Sequence, residues 1–190
     1  KIFLSKKNFL TTDQLNKIKP YLEKHGDLKP HGAIVNDETS LSTHHADSNI
    51  LTELTQLDGC ETILNNLIVE IKTYLKQSGF QLETHTINSW FNIQNKGSVL
   101  KQHNHYNSVL SGALYININA DSSPIVFDNP NTNLFMGMPN LDTSKKFSQE
   151  EIIIHPQKGE LLLFPSFLRH GSGGMINYSD NRIIISFNVQ

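Results

Sequence analysis

Apolar positions follow one rhythm up to about residue 80 and another beyond it. In the first stretch they recur every three or four residues, the spacing of a helix buried along one side. Asp13, Leu15, Ile18 and Leu22 trace such a helix, with Thr12 as its cap and Pro20 limiting or kinking it. A second helix is expected to start after Ser48. A third places Ile63, Leu64, Leu67, Ile68, Ile71 and Leu75 on one face and ends near Gly79. That face reads as packing against a sheet rather than as a cofactor box. Between the first two helices, Leu28 to His45 has glycine turns, a proline and little periodicity, and reads as loop.

From Leu82 onward the segments THTINSWFNIQ, VLKQHNH, VLSGALYININ, SPIVFD, EEIIIHP, GELLLFPSF and NRIIISFNV are short and rich in β-branched or aromatic residues. Gly, Asn, Pro and Ser separate them, with no helical spacing between. Such a series implies antiparallel strands in a sandwich or barrel. Residues 129 to 150, NPNTNLFMGMPNLDTSKKFSQE, hold no sustained period; with Met136, Gly137, Met138 and Pro139 at the centre, they are a candidate lid. There is no internal repeat. The expectation is one domain over 1–190, helical support over 1–80 and a β core over 82–190.

Composition narrows the function classes. With 37% hydrophobic and 18% charged residues, the chain is neither a disordered polyelectrolyte nor a membrane protein. No apolar run approaches the roughly 18 to 20 residues of a transmembrane helix, and no signal-peptide pattern opens the sequence. A net charge of −2 gives no basic footprint for nucleic acid. The lone cysteine, Cys60, rules out an intramolecular disulfide framework and a Cys-rich zinc site, and suits a reducing, cytoplasmic setting.

Nine histidines and only two arginines, Arg169 and Arg182, then direct attention to placement. His103 and His105 stand two apart in a strand-like segment, so both imidazoles can face one ion. His170 follows another strand sixty-five residues later. Two ligands from one strand and a third from a distant one build a facial triad, which leaves the opposite coordination positions open. The others (His25, His31, His85, His155 and the adjacent His44 and His45) lack chelating spacing and read as ordinary loop, surface or core residues. Arg182 opens the last strand, where it shares a face with Ile184, Ser186 and Asn188. Its planar fork suits a carboxylate held bidentately. Trp90 and Asn92 alternate with Phe91 and are candidates to line the same pocket.

The string WFNIQNKGSVLKQHNHYNSVLSGALYIN, followed by IVFDNP, GELLLFPSFLRH and RIIISFN, resembles the iron(II)- and 2-oxoglutarate-dependent oxygenases over about residues 87 to 190. The likeness is strongest to a branch with a His-x-His, a following SG-x-x-Y and a terminal strand ending in Phe-Asn. It implies a mostly β fold, a double-stranded β-helix (jelly roll) with buttressing N-terminal helices. It also implies iron(II), 2-oxoglutarate and O2, with a hydroxylated product, succinate and CO2. Carried over by position, His103 and His170 match the histidine ligands, Arg182 matches the residue pairing with the distal carboxylate of 2-oxoglutarate, and Tyr115 falls where a tyrosine binds that carboxylate. The expected sets are therefore His103, His105 and His170 for metal, and Arg182, Tyr115, Ser186 and Asn92 for the cosubstrate. His105 departs from the family, which usually has Asp or Glu there; the exchange removes a negative charge beside the metal. Asp128 is an alternative carboxylate, although it reads first as a turn closure before Asn129 and Pro130.

Two other readings stand beside this one. Gly97 and His103, then Gly159, Pro165 and His170, overlap the two motifs of cupins, which share the jelly roll. That reading gives a three-histidine dioxygenase without 2-oxoglutarate. The other is a non-catalytic jelly-roll binding module. The substrate is expected to be a small molecule or peptide, with oligomeric state and type of oxidation left open.

Overall fold

The computed structural model describes residues 2–46, 49–80, 86–131, 142, 144–145 and 148–190. Its centre is a six-stranded antiparallel sheet. In spatial order this contains β1 (Leu4–Lys6), β9 (Leu161–Pro165), β6 (Leu110–Asn117), β11 (Arg182–Val189), β4 (Ile87–Gln94) and β3 (Leu41–Ser42). A second sheet joins β10 (His170–Gly171), β7 (Ile125–Asp128) and β8 (Glu151–Ile154), and a two-stranded ribbon pairs β2 (Ile34–Val35) with β5 (Val99–Leu100).

Alternation along the central strands gives the large sheet two buried faces. Ile183, Ile185, Phe187 and Val189 of β11 join Phe91, Leu114, Ile116, Leu161 and Leu163 in one apolar cluster. Helices α1 (Thr12–Glu23), α2 (Ile50–Leu54) and α3 (Ile63–Gln77) complete it through Ile18, Leu22, Leu51, Leu54, Leu67 and Ile71. On the opposite face Ile184, Tyr115, Leu162 and Phe164 pack with Ile125 and Phe127 of the small sheet and with Leu168. Gly112 lies opposite Phe187 in the β6–β11 register, and a side chain there would overlap that ring. Helices on one face and a second sheet on the other make this a buttressed jelly roll.

Several expectations need correction. The cap of α1 is Thr11, whose hydroxyl accepts from the Gln14 N–H while the Gln14 side chain accepts from the Thr11 N–H; Thr12 is the first helical residue. Pro20 sits inside α1 without ending it. The division near residue 80 is not clean, because β1 and β3 come from the first part and form both edges of the large sheet. His103 and His105 lie in extended chain after β5, not in a continuous strand. His103 is fastened by an isolated bridge to His170, with reciprocal N–H to carbonyl bonds of 2.8 Å. The candidate lid falls largely outside the described residues, as does His85.

Candidate metal and cosubstrate site

Chain geometry brings the three expected histidines together. β10 starts at His170, the bridge to His103 sets the two backbones side by side, and the His105 N–H donates to the Ser166 carbonyl at 3.1 Å. One ligand nitrogen from each of His103, His105 and His170 lies within 4.8 Å of the other two. The Nδ1–H groups of His103 and His170 donate to the carbonyls of Lys101 (2.8 Å) and Leu168 (2.9 Å). That fixes both Nε2 lone pairs toward the cluster centre, the arrangement a metal-ligating imidazole needs. The Nε2 atoms of His105 and His170 are 3.3 Å apart. Asp128 is elsewhere, accepting from Gln102 Nε2 at 2.6 Å and pairing with Arg169 at 3.7 Å. Among the described residues, the three histidines form the sole cluster of this kind.

Burial keeps these rings neutral. It pushes His170 down to about 3 and His105 to about 4, with neighbouring imidazoles adding to the shift. His103 is lowered by burial too, against the opposing Lys101 carbonyl. A metal ion requires neutral imidazole, and burial keeps the three rings in that charge state. The sign for stability follows. Below the ordinary histidine pKa of 6.5 the unfolded chain takes up protons that the folded chain refuses, so folded-state stability present above that value is lost as pH falls. The thermal midpoint of the metal-free protein should therefore drop between about pH 7 and about pH 5. An unchanged midpoint by calorimetry would contradict the buried neutral cluster.

The same cavity, about 250 Å³, reaches Arg182, Tyr115, Ser186, Asn92 and Trp90. Arg182 is 4% exposed. It donates through Nη1 to Gln94 Oε1 and through Nη2 to the Ser123 carbonyl at 3.1 Å, while Nε has no hydrogen-bond partner. Burial lowers its pKa to about 10, partly offset by Tyr115, so it stays charged at neutral pH. Tyr115 is fully buried, and that burial drives its own pKa upward. Among the described residues no carboxylate pairs with Arg182, a costly arrangement for a buried cation unless an anion completes it. Asn92 Oδ1 is likewise buried without a partner.

Two cavity residues were missed by spacing. His31 and His44, read as ordinary, both line it. The Lys29–Ser42 bridge and the pairing of Ser42 with Asn92 carry their loop onto the cavity wall. Their rings meet edge to face at 4.8 Å, and His44 meets Trp90 in the same way at 4.8 Å. Burial pushes His31 down to about 4 and also lowers His44. Among the described lining residues Arg182 is thus the one charged group at neutral pH.

Residues 88–188 match the model of the family described as "Putative 2OG-Fe(II) oxygenase". The chain also shares its fold with solved structures at low sequence identity. HygX from Streptomyces hygroscopicus, with nickel and 2-oxoglutarate bound, is 11% identical with a TM-score of 0.65, over 99% of this chain and 82% of that one. A Trichoplax adhaerens prolyl hydroxylase, in complex with a hypoxia inducible factor peptide fragment, is 14% identical (TM-score 0.61; 99% and 83%). A Pseudomonas putida prolyl-4-hydroxylase is 13% identical (TM-score 0.58; 99% and 91%). No curated protein matches the sequence. Among the described residues no helix is long and apolar enough to cross a membrane.

Proposed function

The chain belongs to the 2OG-Fe(II) oxygenase family, and from that premise we propose that His103, His105 and His170 hold the iron while Arg182 and Tyr115 seat the distal carboxylate of 2-oxoglutarate. It is an iron(II)- and 2-oxoglutarate-dependent oxygenase. When bound, iron with 2-oxoglutarate and O2 supplies the oxidising power to hydroxylate a C–H bond, with succinate and CO2 released. The chain's own part is placement. Lys101 and Leu168 carbonyls orient two imidazoles, the buried Arg182 fork waits for a carboxylate, and the Phe127 and Phe164 rings pack against buried His170. Ser186 and Asn92 border the cosubstrate, the unpartnered Asn92 oxygen being free to accept from a hydroxyl or amide.

The observation that carries this reading is the buried Arg182 cation, without a carboxylate partner among the described residues, in one cavity with three convergent imidazoles. A cupin-type dioxygenase gives Arg182 and Tyr115 no shared task. The substrate is read as a small molecule or peptide whose reacting part is uncharged, since the His31, His44 and Trp90 wall offers no charge to pair with it. Neighbours of this fold are seen with hygromycin B and with a peptide, so both classes stand. We read the chain as one domain because β1 and β3 complete the large sheet, and a cytoplasmic location is consistent with a free, buried Cys60.

The test is succinate formation. Protein loaded with iron(II) without oxygen, then given 2-oxoglutarate and air, should produce succinate only when both metal and 2-oxoglutarate are present. Oxygen uptake on candidate substrates without succinate would favour the cupin reading, and failure to retain stoichiometric metal would favour a binding module.

A further inference from the structure

The groups that grip the Arg182 guanidinium come from different parts of the fold. Gln94, whose Oε1 accepts from Nη1, ends β4 in the large sheet. Ser123, whose carbonyl accepts from Nη2 at 3.1 Å, lies just before β7 of the small sheet. The direction in which the fork faces the cavity therefore depends on how those two segments are spaced. One side chain bonds both. Asn177, in the turn between β10 and β11, donates from Nδ2 to the Asn95 carbonyl at 3.0 Å, directly after Gln94. Its Oδ1 accepts from the Ser123 N–H at 3.3 Å.

Asn177 is fully buried. Its Nδ2 also donates to the Ser179 carbonyl at 2.7 Å, and its Oδ1 also accepts from Ser179 Oγ at 2.8 Å. An amide has two donor hydrogens and two acceptor positions, so this side chain is fully used. Its orientation follows from its partners, since a carbonyl only accepts and a backbone N–H only donates. The Asn177 backbone is tied down as well, by its N–H to the Ser98 carbonyl at 2.9 Å and by its carbonyl to the Gly97 N–H at 2.8 Å. Asn95 in turn accepts at Oδ1 from the N–H of Asn181, the residue before Arg182, at 3.0 Å. Asn177 thus reaches both the guanidinium anchors and the backbone at Arg182, yet it does not line the cavity.

Resting on the reading of Arg182 as the seat of the distal carboxylate, we propose that Asn177 is a positioning residue for that arginine and sets the affinity for 2-oxoglutarate without touching it. A guanidinium–carboxylate pair is demanding in geometry, so a small shift of one anchor turns the fork away from its best alignment. Alanine at 177 would leave the Asn95 carbonyl and the Ser123 N–H without this partner in a buried place, and the two segments would settle anew. His103 and His170 are oriented by other bonds, to the Lys101 and Leu168 carbonyls, so metal binding is separable from this effect.

The test is calorimetry of 2-oxoglutarate binding to Mn(II)-loaded protein without oxygen, at a temperature where circular dichroism shows each variant folded. Asn177→Ala is expected to weaken binding about 3- to 10-fold, with Mn(II) affinity unchanged. Ser179→Ala serves as the control, because it removes a hydrogen bond from the same amide and leaves those to Asn95 and Ser123. It should lower the thermal midpoint and keep 2-oxoglutarate binding within about twofold. In iron-loaded Asn177→Ala the KM for 2-oxoglutarate should rise while kcat at saturation is kept. Unchanged 2-oxoglutarate binding in folded Asn177→Ala overturns the proposal, as does an equal loss in Ser179→Ala, which would mark general loosening of the turn. If Asn177→Ala does not fold, Asn177→Asp decides on the same criteria, since at equal size it keeps both acceptor bonds and loses the donation to Asn95. Unaltered binding in Arg182→Ala would instead refute the reading of Arg182 itself, whereas weakened binding there with unaltered binding in Asn177→Ala refutes the role of Asn177 alone.

Discussion

Replacing Arg182 with alanine is expected to raise the 2-oxoglutarate concentration needed for succinate formation by about 10- to 100-fold. The estimate follows from a charge-assisted hydrogen bond of about 1.5 to 3 kcal/mol, at about 1.4 kcal/mol per tenfold change. Arg182→Lys is expected to recover little, because an ammonium cannot reproduce the fork that meets Gln94, the Ser123 carbonyl and a carboxylate together. Iron content should not change, since Arg182 is not part of the histidine cluster. The effect is therefore readable as a shift in 2-oxoglutarate dependence at constant metal loading. Unaltered 2-oxoglutarate dependence in Arg182→Ala would remove this residue from cosubstrate binding. Folding is expected to survive, since the substitution takes away a buried charge that no acidic side chain balances among the described residues.

The second large effect concerns the metal. His170→Ala and His105→Ala should each lower bound iron to a small fraction of stoichiometry and abolish succinate formation, as measured by metal analysis and product assay. His105→Asp should keep iron, since it restores the carboxylate more common at this position. The two alanine variants should differ in a second respect. His170 is buried between Phe127 and Phe164, with ring centroids 5.7 Å and 4.7 Å away, so its loss also leaves a hole in the packing. His105 is half-buried and should cost the metal-free fold less. Undiminished iron in His105→Ala would mean that another group completes the metal site.

Period and alternation made much of this architecture readable in advance. The helical spacing from Ile63 to Leu75 marked the face of α3 that packs on the sheet, although Tyr74 also buries there. Alternation on β11 placed Arg182, Ile184 and Ser186 on the cavity side, where all three lie. The His-x-His pair and His170 do converge, although the chain around His103 is held by one bridge rather than by a ladder. What escaped has a common physical cause. Strands of two or three residues, such as β1 and β3, are too short to display a period and exist because a longer neighbour pairs with them. His31 and His44 reach the cavity through the Lys29–Ser42 bridge, a long-range contact that leaves no local mark on the sequence. Asn188 was visible as a member of the right face, but its bond to His105 depends on where a different segment of chain comes to rest.

β11 has no idle position. Ile183, Ile185, Phe187 and Val189 belong to the helix-backed core, while Arg182, Ile184, Ser186 and Asn188 look into the cavity or onto the histidines. Inserting or deleting one residue would exchange those two sets, sending an arginine toward the helices and phenylalanine toward the histidines. Evolution can tune this strand by substitution but not by changing its length. The reading frame of eight consecutive residues is in effect a shared boundary condition on stability and chemistry, and neither can drift without the other.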